Sequence, residues 1–507
     1  MHALDLPTSL LARGLTGEYT APALVSNTKV LTWGELEAGS GRLALNLLSL
    51  GLAPGDRVAS LMPNRVMLIA HYLACLKAGL VMVPLNYRYT PSEIDRALAF
   101  SGASALLVHA ERQDDLSASN AVENLPHGLI WCERPGSAGL SIESLMSSKA
   151  PDNGLPVLSE EHDALIFFTS GSTGAPKGVT LSRRAVGARA WSIAQSLELQ
   201  PQSVMFPSLS LAHGGGFDLS MATLAAGGKV LIANGNDPDE ILLLIQKERP
   251  NFFLTLPSML FTLIRHPSAM SADFSSLDYC GSGGDVVSDE LSKEVAERAG
   301  IEVRISYGMT EIGIATCNRP SSVNRPGSVG TPNPGYEIAI YEGHNREAAT
   351  GTDGRVWVRS PANMTAYWDN PKATKAAVRE GWLDTGDVMR RDADGYLWFR
   401  GRQKQIIIHD GSNIWPQEVE AALLEHDAVA AAGVVGVRDE VHGEDVFAYV
   451  ALKQGTARPT VRALLEFARA RVGYKAPERI IVLDEIPLNS SGKIDRSVLK
   501  RMAAMVA

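Results

Sequence analysis

Residues 169–178 read Thr-Ser-Gly-Ser-Thr-Gly-Ala-Pro-Lys-Gly, and this stretch decides how the rest of the chain is interpreted. An apolar run, residues 164–168, precedes it, and a second strand-like run, residues 179–181, follows it. A cluster of Gly, Ser and Thr between two such runs is ordinarily a surface turn. The same composition lets backbone N–H groups approach an anion, and Lys177 adds positive charge next to the stiff Pro176. The stretch therefore indicates either a plain turn or a phosphate-binding loop.

The Walker A motif is the first phosphate-binding pattern to test against this stretch. That motif requires G-x-x-x-x-G-K-[ST], with the lysine directly after the second glycine. Here Ala-Pro separates Gly174 from Lys177, and Gly178 follows the lysine where Ser or Thr is needed. The chain is therefore not predicted to be a P-loop NTPase, and the rest of the sequence must identify the anion.

Composition limits the class of protein. A chain of 507 residues is too long for one ordinary core, so we expect two to four structural units. The net charge of −9 leaves no basic footprint for nucleic acid or an anionic membrane. The four cysteines lie far apart, which is typical of reduced thiols in the cytoplasm. No apolar run reaches the ~18 residues of a transmembrane segment, and the N-terminal residues do not resemble a signal peptide. We expect a cytoplasmic protein.

The order of sequence patterns predicts an α/β fold in several parts. Strand-like and helical patterns alternate over residues 20–160 and again over residues 164–310, with an apparent connector at 130–155. Short strands separated by Gly, Pro and Asp turns follow over residues 327–400. From about residue 405 the pattern is that of a compact α+β unit.

Five further stretches carry chemical groups. They are Tyr-Gly-Met-Thr-Glu at 307–311, which we place directly after a strand, Trp-Leu-Asp-Thr-Gly-Asp at 382–387, Arg-Gly-Arg-Gln-Lys-Gln at 400–405, Asn-Ile-Trp-Pro-Gln-Glu-Val-Glu at 413–420 and Pro-Leu-Asn-Ser-Ser-Gly-Lys at 487–493. Each alone is weak evidence. Together with the opening loop, and in this order, they resemble the acyl-adenylate-forming superfamily of AMP-binding enzymes, in its acyl-CoA synthetase or acid–CoA ligase branch. The resemblance runs from Thr32 to Arg496.

The resemblance implies a reaction and an architecture. A carboxylic acid and ATP give acyl-AMP and pyrophosphate, and CoA then displaces AMP; Mg²⁺ assists the first step. Anion meets anion in that step, so cations and N–H donors are needed. The implied fold is α/β: a large N-terminal domain, residues 1–403, made of two similar sheet units and a small β unit, and a smaller mobile C-terminal α+β domain, residues 404–507.

The resemblance also implies site residues. Catalytic roles fall to Lys493, which would reach the α-phosphate, to Glu311 as the Mg²⁺ ligand, to Thr310 and to His213. The nucleotide would be bound by Thr169, Ser170, Gly171, Ser172, Thr173, Gly174 and Lys177 of the phosphate loop and by Gly283, Gly284, Asp285, Tyr307, Gly308, Met309, Asp387 and Arg402. In this interpretation the opening loop holds pyrophosphate, and Asp387 accepts from the ribose diol. Acetylation of Lys493 and a homodimer are further expectations.

The thiol half of the reaction is assigned by the same resemblance. Lys404 falls at the hinge about which relatives rotate their C-terminal domain, and CoA would lie near Gly411, Tyr474 and Lys475. The sequence departs from the family here. Asp410 stands where relatives carry glycine, and Ala476 and Glu478 stand where some relatives carry basic residues. CoA is therefore less firmly indicated than ATP, and a carrier-protein thiol is the alternative acceptor.

The acyl pocket is predicted from His213, Gly214, Gly215, Ser282, Gly308 and Gly313, whose small size implies room. Phe217-Asp218-Leu219-Ser220 resembles the aspartate motif of amino-acid-activating domains, but the register places that aspartate at Gly214. An α-amino acid is therefore disfavoured. No cation is evident to pair a second carboxylate, which favours a medium-chain fatty or aromatic monocarboxylate. The remote alternatives are a luciferase-like oxygenase and a non-catalytic nucleotide-binding relative.

Overall fold

The structure is a computed structural model that describes residues 8–117, 119–134, 139–152, 154–169, 177–285, 287–343, 346–409, 412–439, 442–453, 455, 457–489 and 493–505. Several predicted site residues lie outside these ranges, namely Ser170, Gly171, Ser172, Thr173, Gly174 and Gly411. The same holds for Asp410. Their predicted roles remain predictions.

Helices and strands alternate through the first third of the chain. In order they are α1 (Thr8–Leu15), β1 (Pro22–Ser26), β2 (Val30–Thr32), α2 (Trp33–Ser49), β3 (Arg57–Leu61), α3 (Val66–Ala78), β4 (Val81–Pro84), α4 (Pro91–Ser101), β5 (Ala105–His109), α5 (Gln113–Ser117), β6 (Leu129–Cys132), α6 (Ile142–Ser147) and β7 (Asp163–Thr169). The connector predicted at 130–155 is thus partly wrong, because β6 and α6 lie within it.

The alternation continues through the second third. The elements are β8 (Lys177–Ser182), α7 (Arg183–Ser196), β9 (Val204–Ser208), α8 (Gly214–Ala225), β10 (Lys229–Ile232), α9 (Pro238–Glu248), β11 (Phe252–Thr255), α10 (Pro257–Arg265), β12 (Tyr279–Gly283), α11 (Asp289–Ala299), β13 (Val303–Met309), β14 (Gly313–Cys317) and β15 (Thr331–Pro332). Residues 307–309 belong to β13 and do not follow it as predicted, because pairing with β14 extends the strand.

A β-rich segment and a C-terminal α+β segment complete the chain. The first contains β16 (Glu337–Glu342), β17 (Arg346–Glu347), β18 (Asp353–Arg359), β19 (Ala366–Tyr367), α12 (Pro371–Ala377), β20 (Val378–Arg379), β21 (Trp382–Arg391) and β22 (Leu397–Arg402). The second contains β23 (Ile407–His409), β24 (Ser412–Ile414), α13 (Pro416–Leu424), β25 (Val429–Asp439), β26 (Gly443–Leu452), α14 (Val461–Val472), β27 (Arg479–Leu483) and α15 (Arg496–Ala504).

The strands of the described residues form four sheets. Two large sheets have the orders β15-β14-β13-β12-β11-β9-β10-β1-β2 and β19-β8-β7-β4-β3-β5-β6. A smaller sheet has the order β17-β16-β18-β21-β20, with β22 paired to β21. The C-terminal sheet has the order β24-β23-β26-β25, with β27 paired to β26. The fold is therefore α/β, with a large N-terminal domain of several sheets and a smaller C-terminal domain, as the sequence predicted.

Local sequence signals account for helix boundaries in the first large unit. Helix α4 begins at Pro91 with a capping box between Thr90 and Glu93, and it ends at Gly102 in the left-handed region (φ 61°). Helix α3 is buried along its whole length and ends at Gly79, which also has a positive φ of 72°. A helix apolar on all sides fits between layers of the core rather than on the surface. Both ends were predicted from the sequence.

The carboxyl ends of the central parallel strands lie in register. Thr255 of β11 pairs with Ser208 of β9 on one side and with Ser282 of β12 on the other. Thr255 Oγ1 donates to the Ser208 carbonyl at 3.0 Å, and Ser282 Oγ donates to the Thr255 carbonyl at 3.0 Å. In α/β sheets ligands bind beyond this edge. The edge is therefore where the candidate site residues are to be sought.

Two expectations from composition can be checked. All four cysteines are free and buried, as expected of structural thiols. None of the helices in the described part of the chain combines the length and the apolar character that a membrane span requires.

We expect the protein to lose stability as the pH falls below about 6.5, and His71 of α3 to contribute. Burial lowers the pKa of His71 to about 3. The unfolded chain therefore takes up a proton between pH 6.5 and 3 that the folded chain does not bind, which favours unfolding at low pH. One such group costs about 2 kcal/mol between pH 7 and 5. Urea unfolding at both pH values should show a smaller difference in His71→Leu than in the natural chain. An equal difference would contradict a neutral buried imidazole.

Candidate active site

A buried polar cluster joins β13 to the small sheet. Asp387 of β21 is 1 % exposed and pairs in register with Arg402 of β22. Tyr307 Oη donates to Asp387 Oδ2 at 2.7 Å, and Arg402 Nε lies 3.1 Å from Asp387 Oδ1. Burial raises the pKa of Asp387, and the guanidinium of Arg402 acts in the opposite direction. The two sequence motifs at 307–311 and 382–387 thus meet through one carboxylate.

Glu311 lies in a second cluster, close to the ends of the opening loop. Tyr367 Oη donates to Glu311 Oε1 at 2.9 Å, and Glu311 is buried. Lys177 Nζ lies 4.6 Å from the centre of the Tyr367 ring, which is a cation–π contact. Lys177 itself pairs with Thr169 across the β7–β8 hairpin. The described ends of the loop at 169–178 are therefore positioned beside the Glu311 carboxylate.

Lys493 reaches this region from the C-terminal domain. A Cβ placed on Gly284 would lie 4.0 Å from Lys493 Cε, so the lysine stem passes over the end of β12. Desolvation lowers the pKa of the Lys493 ammonium, and Arg402 adds to that effect. The carboxylates of Asp285, Asp387 and Glu311 act on the ammonium in the opposite direction. One cation from the distal domain is thus surrounded by the three carboxylates of the sequence motifs.

His213 lies at the start of α8 on the same side of the molecule. Its imidazole Nε2 is 3.4 Å from Asn86 Nδ2. Burial lowers the pKa of His213 to about 4, and the charge of Lys493 contributes. The ring is therefore neutral near pH 7 and presents no positive charge to a ligand.

The predicted glycines of the acyl pocket differ in what surrounds them. A Cβ on Gly308 would lie 2.3 Å from the Gly313 carbonyl oxygen, and one on Gly313 would lie 3.0 Å from Arg189 Nε. These two glycines are filled by neighbouring protein atoms, so the prediction that their size provides room is wrong. Gly214 differs, because its nearest atom, Asp218 Oδ2, is 3.8 Å from a Cβ. A Cβ on Gly215 would lie 3.2 Å from the Leu209 side chain.

The Phe-Asp-Leu-Ser stretch at 217–220 has a structural role. Asp218 is 1 % exposed and forms an ion pair with Arg189 of α7, with Nη1 and Oδ2 separated by 3.5 Å. Burial raises the pKa of Asp218 to about 6, and Arg189 opposes that shift. Because Arg189 already faces it, Asp218 is not an isolated carboxylate awaiting a substrate ammonium. This agrees with the register argument made from the sequence.

The residues assigned to the hinge and to CoA lie on the C-terminal side of β22. Lys404 is exposed in a 3₁₀ turn, Gln403–Gln405, between β22 and β23. Tyr474 is 66 % exposed, whereas Lys475 Nζ is 2.7 Å from Glu418 Oε1. In this arrangement the Lys475 charge is paired within the protein and does not face an open phosphate site.

Three of these contributors were not found in the sequence. Tyr367 lies in a short strand without hydrophobic periodicity, and Arg189 lies in a helix where an arginine is ordinarily a surface residue. Asn86 follows β4 in a loop. No local pattern marks these side chains, because each acquires its partner from an element distant in the sequence. Asp-Asn-Pro at 369–371, a helix-start signal, is the nearest cue to Tyr367.

The comparisons with known proteins agree with this geometry. Residues 13–368 match the AMP-binding enzyme family, and residues 418–493 match the AMP-binding enzyme C-terminal domain. A feruloyl-CoA synthase from Amycolatopsis sp is 33% identical over 95% of this chain and 96% of its own length. A long-chain-fatty-acid–CoA ligase from Bacillus subtilis (strain 168) is 31% identical over 98% of this chain and 95% of its own. The solved anthranilate CoA ligase AuaEII, in complex with anthranoyl-AMP, superposes with a TM-score of 0.91 at 25% identity and covers 100% of both chains.

The chain therefore belongs to the AMP-binding enzyme family, in the branch of the CoA ligases. It is an AMP-forming acid–thiol ligase that uses ATP, Mg²⁺ and CoA. The described residues fit these ligands. Glu311 supplies a hard carboxylate oxygen of the kind that Mg²⁺ binds, and Asp387 supplies a buried acceptor suited to a ribose hydroxyl.

Proposed function

We propose that this ligase activates a medium-chain fatty or aromatic monocarboxylate as its acyl-adenylate and then transfers the acyl group to CoA. The observation that carries the proposal is the position of Lys493 among Asp285, Asp387 and Glu311, beside Arg402. A lysine brought from another domain into a group of nucleotide-binding carboxylates has a use in the first half-reaction. A surface lysine would not be expected there.

In that half-reaction a carboxylate oxygen of the acid attacks the α-phosphorus, and the bond to the bridging oxygen of pyrophosphate breaks. Lys493 places positive charge between the two anions, where negative charge builds up in the transition state. Glu311 and Tyr367 would hold Mg²⁺ near the phosphates, where the ion neutralises oxygen charge. Lys177 would meet the leaving pyrophosphate at the end of the loop. Asp387 would fix the ribose and so the direction of attack.

The second half-reaction requires room for a thiol. The sulfur attacks the acyl carbonyl, and AMP leaves with the electrons of the broken C–O bond. Lys493 now occupies the side from which a pantetheine arm would enter in related enzymes, so we propose rotation about Lys404 before the thiol binds. Residues 1–403 and 404–507 would be the bodies that move. The paired state of Lys475 agrees with this, because the described arrangement is then the one for adenylation.

The charges near His213 support a monocarboxylate. The imidazole of His213 is neutral near pH 7, and Arg189 is occupied by Asp218 and by backbone carbonyls. Neither group can therefore neutralise a second carboxylate, whose burial without a partner costs several kcal/mol (~2–7 kcal/mol even for a neutral polar group). Gly214 and Gly215 bring backbone rather than bulky side chains to this side.

The proposal is tested by pyrophosphate release over a panel of acids. The panel should contain fatty acids of graded length, benzoate- and cinnamate-type acids, and dicarboxylates as the contrasting class. We expect release with monocarboxylates and little with dicarboxylates. Efficient turnover of a dicarboxylate would overturn the substrate class, and no release with any acid would favour a non-catalytic relative.

The acceptor is tested in the same assay. With the best acid, CoA and a phosphopantetheinyl carrier protein are supplied separately, and the thioester product is measured. We expect acyl-CoA to form. Thioester formed on the carrier protein alone would establish the alternative acceptor.

We expect His213→Ala to change acid preference more than ATP use. The imidazole begins α8 beside Gly214, and its hydrogen-bond neighbour is Asn86 rather than a nucleotide-binding residue. Its removal opens space on the acid side, so larger acids should gain relative to smaller ones. The kcat/KM values of several acids at saturating ATP measure the effect. A changed KM for ATP with an unchanged acid profile would contradict this position.

A further inference from the structure

We propose that Arg189 is a positioning residue for adenylation, which fixes the backbone of Thr310 and Glu311 and ties it to helix α8. The inference rests on the proposed function of Glu311. Arg189 touches no predicted ligand atom itself. It acts through the segment that carries the Mg²⁺ carboxylate.

Three consecutive carbonyl groups of this segment are held by hydrogen bonds. Arg189 Nη2 donates to the Thr310 carbonyl at 2.8 Å, and the Met364 amide donates to the Glu311 carbonyl at 2.7 Å. Tyr336 Oη donates to the Ile312 carbonyl at 2.6 Å. The three donors come from three different parts of the chain. The direction of the Glu311 side chain is therefore set by backbone contacts on the far side of residues 310–312.

Arg189 differs from the other two donors because it connects more than one element. Its Nε donates to the Ala362 carbonyl at 2.9 Å, and its Nη1 faces Asp218 of α8 at 3.5 Å. Both charged side chains are 1 % exposed. The planar guanidinium has donors in a fixed fork, so one group can hold three acceptors in fixed relative directions. A lysine cannot reproduce that geometry.

The surroundings are shaped for this arginine. Gly313 has a positive φ of 72°, and a Cβ there would lie 3.0–3.2 Å from Arg189 Nε, Cδ and Cγ. The glycine is therefore used to admit the arginine stem. At its other end the same ion pair reaches the acyl side, since Asp218 Oδ2 is the atom nearest to a Cβ on Gly214. The carboxylate thus lies one helical turn from His213, at the start of α8.

A coupling between the two sites follows from this geometry. Helix α8 begins at the acyl side, and Arg189 joins that helix to the segment that carries Glu311. A displacement of α8 by a badly fitting acid would move Asp218 and the guanidinium with it. Misplacing a catalytic group by about 1 Å can cost about 10²-fold in rate. Arg189 therefore links acid fit to the readiness of the nucleotide site.

The test compares Arg189→Lys with Arg183→Lys. Arg183 is also buried in α7, but it donates to the Leu76 carbonyl, away from residues 310–312. Mg²⁺-dependent binding of a non-hydrolysable ATP analogue, measured by calorimetry, needs no acid substrate. We expect Arg189→Lys to weaken that binding about tenfold, because a buried acceptor loses its donor. Arg183→Lys should stay within about twofold in binding while losing comparable thermal stability.

Asp218→Asn keeps the size of the side chain and serves as the second variant if Arg189→Lys does not fold. It should weaken Mg²⁺-dependent binding in the same direction and by less, since Arg189 keeps its two carbonyl acceptors. Equal effects of Arg189→Lys and Arg183→Lys on binding would overturn the inference, as would unchanged binding in Asp218→Asn when Arg189→Lys fails to fold. Absence of pyrophosphate release in the natural chain would instead count against the proposed function.

Discussion

Lys493→Ala should lose about 10²–10³ in the rate of acyl-AMP formation and should keep the conversion of supplied acyl-AMP and CoA to acyl-CoA. The reason lies in its position. The ammonium is near Glu311, Asp387 and Asp285, yet it belongs to a domain that meets the large one across the Lys404 turn. Its charge is useful only while the acid attacks the α-phosphate. Once the domain has rotated, the same side chain is far from the acyl carbonyl.

The two half-reactions must be measured separately. Pyrophosphate release in a single turnover reports the first, and acyl-CoA formation from synthetic acyl-AMP reports the second. Lys500→Ala is the matched control, because Lys500 is an exposed lysine of the same domain. An equal loss of both half-reactions would show that Lys493 has a structural role or that the domain does not rotate. Acetylation of Lys493 should reproduce the variant, since it removes the same charge.

Glu311→Gln should leave the fold intact and raise the Mg²⁺ concentration needed for half-maximal activity. An amide oxygen is a weaker ligand for a hard cation than a carboxylate. Changing even a residue that only orients a metal ligand costs about 10- to 100-fold, so the loss should reach at least that range. Tyr367→Phe removes only the hydroxyl that donates to Glu311 Oε1, and it should give a smaller change in the same direction.

A Mg²⁺ titration of ATP-dependent pyrophosphate release measures both variants. Glu337→Gln serves as the control, because that carboxylate lies in an ion pair with Arg359 on the exposed side of the small sheet. It should leave the Mg²⁺ dependence unchanged. If Glu311→Gln and Glu337→Gln behave alike, the carboxylate at 311 is not the Mg²⁺ ligand.

The sequence was most informative where short-range signals act alone. Thr90, Pro91 and Glu93 predict the start of α4 from three neighbouring residues, and Gly79 and Gly102 predict two helix ends from the backbone conformation that glycine permits. The six ordered motifs predicted the family, the two-domain α/β fold and the cofactors. Such motifs are readable because each contains its own chemical groups at fixed spacing.

Prediction from size and from proximity was less successful. Gly308 and Gly313 were expected to leave room for an acid, but their missing Cβ positions face the Gly313 carbonyl and Arg189. A glycine in a sequence shows that a side chain is absent and not what fills the space. The strand boundary at residues 307–309 was missed for a related reason, since only pairing with β14 extends β13.

The sequence by itself determined the family, the order of the elements and the residue types of the site, because these depend on local spacing and on composition. Only the tertiary structure decided which groups meet. Tyr307 reaches Asp387 across 80 residues, Arg189 reaches Thr310 across 121, and Lys493 joins them from the other domain. Each of these contacts depends on sheet register and on buried charge, whose cost is tolerated only where a distant partner is brought into place.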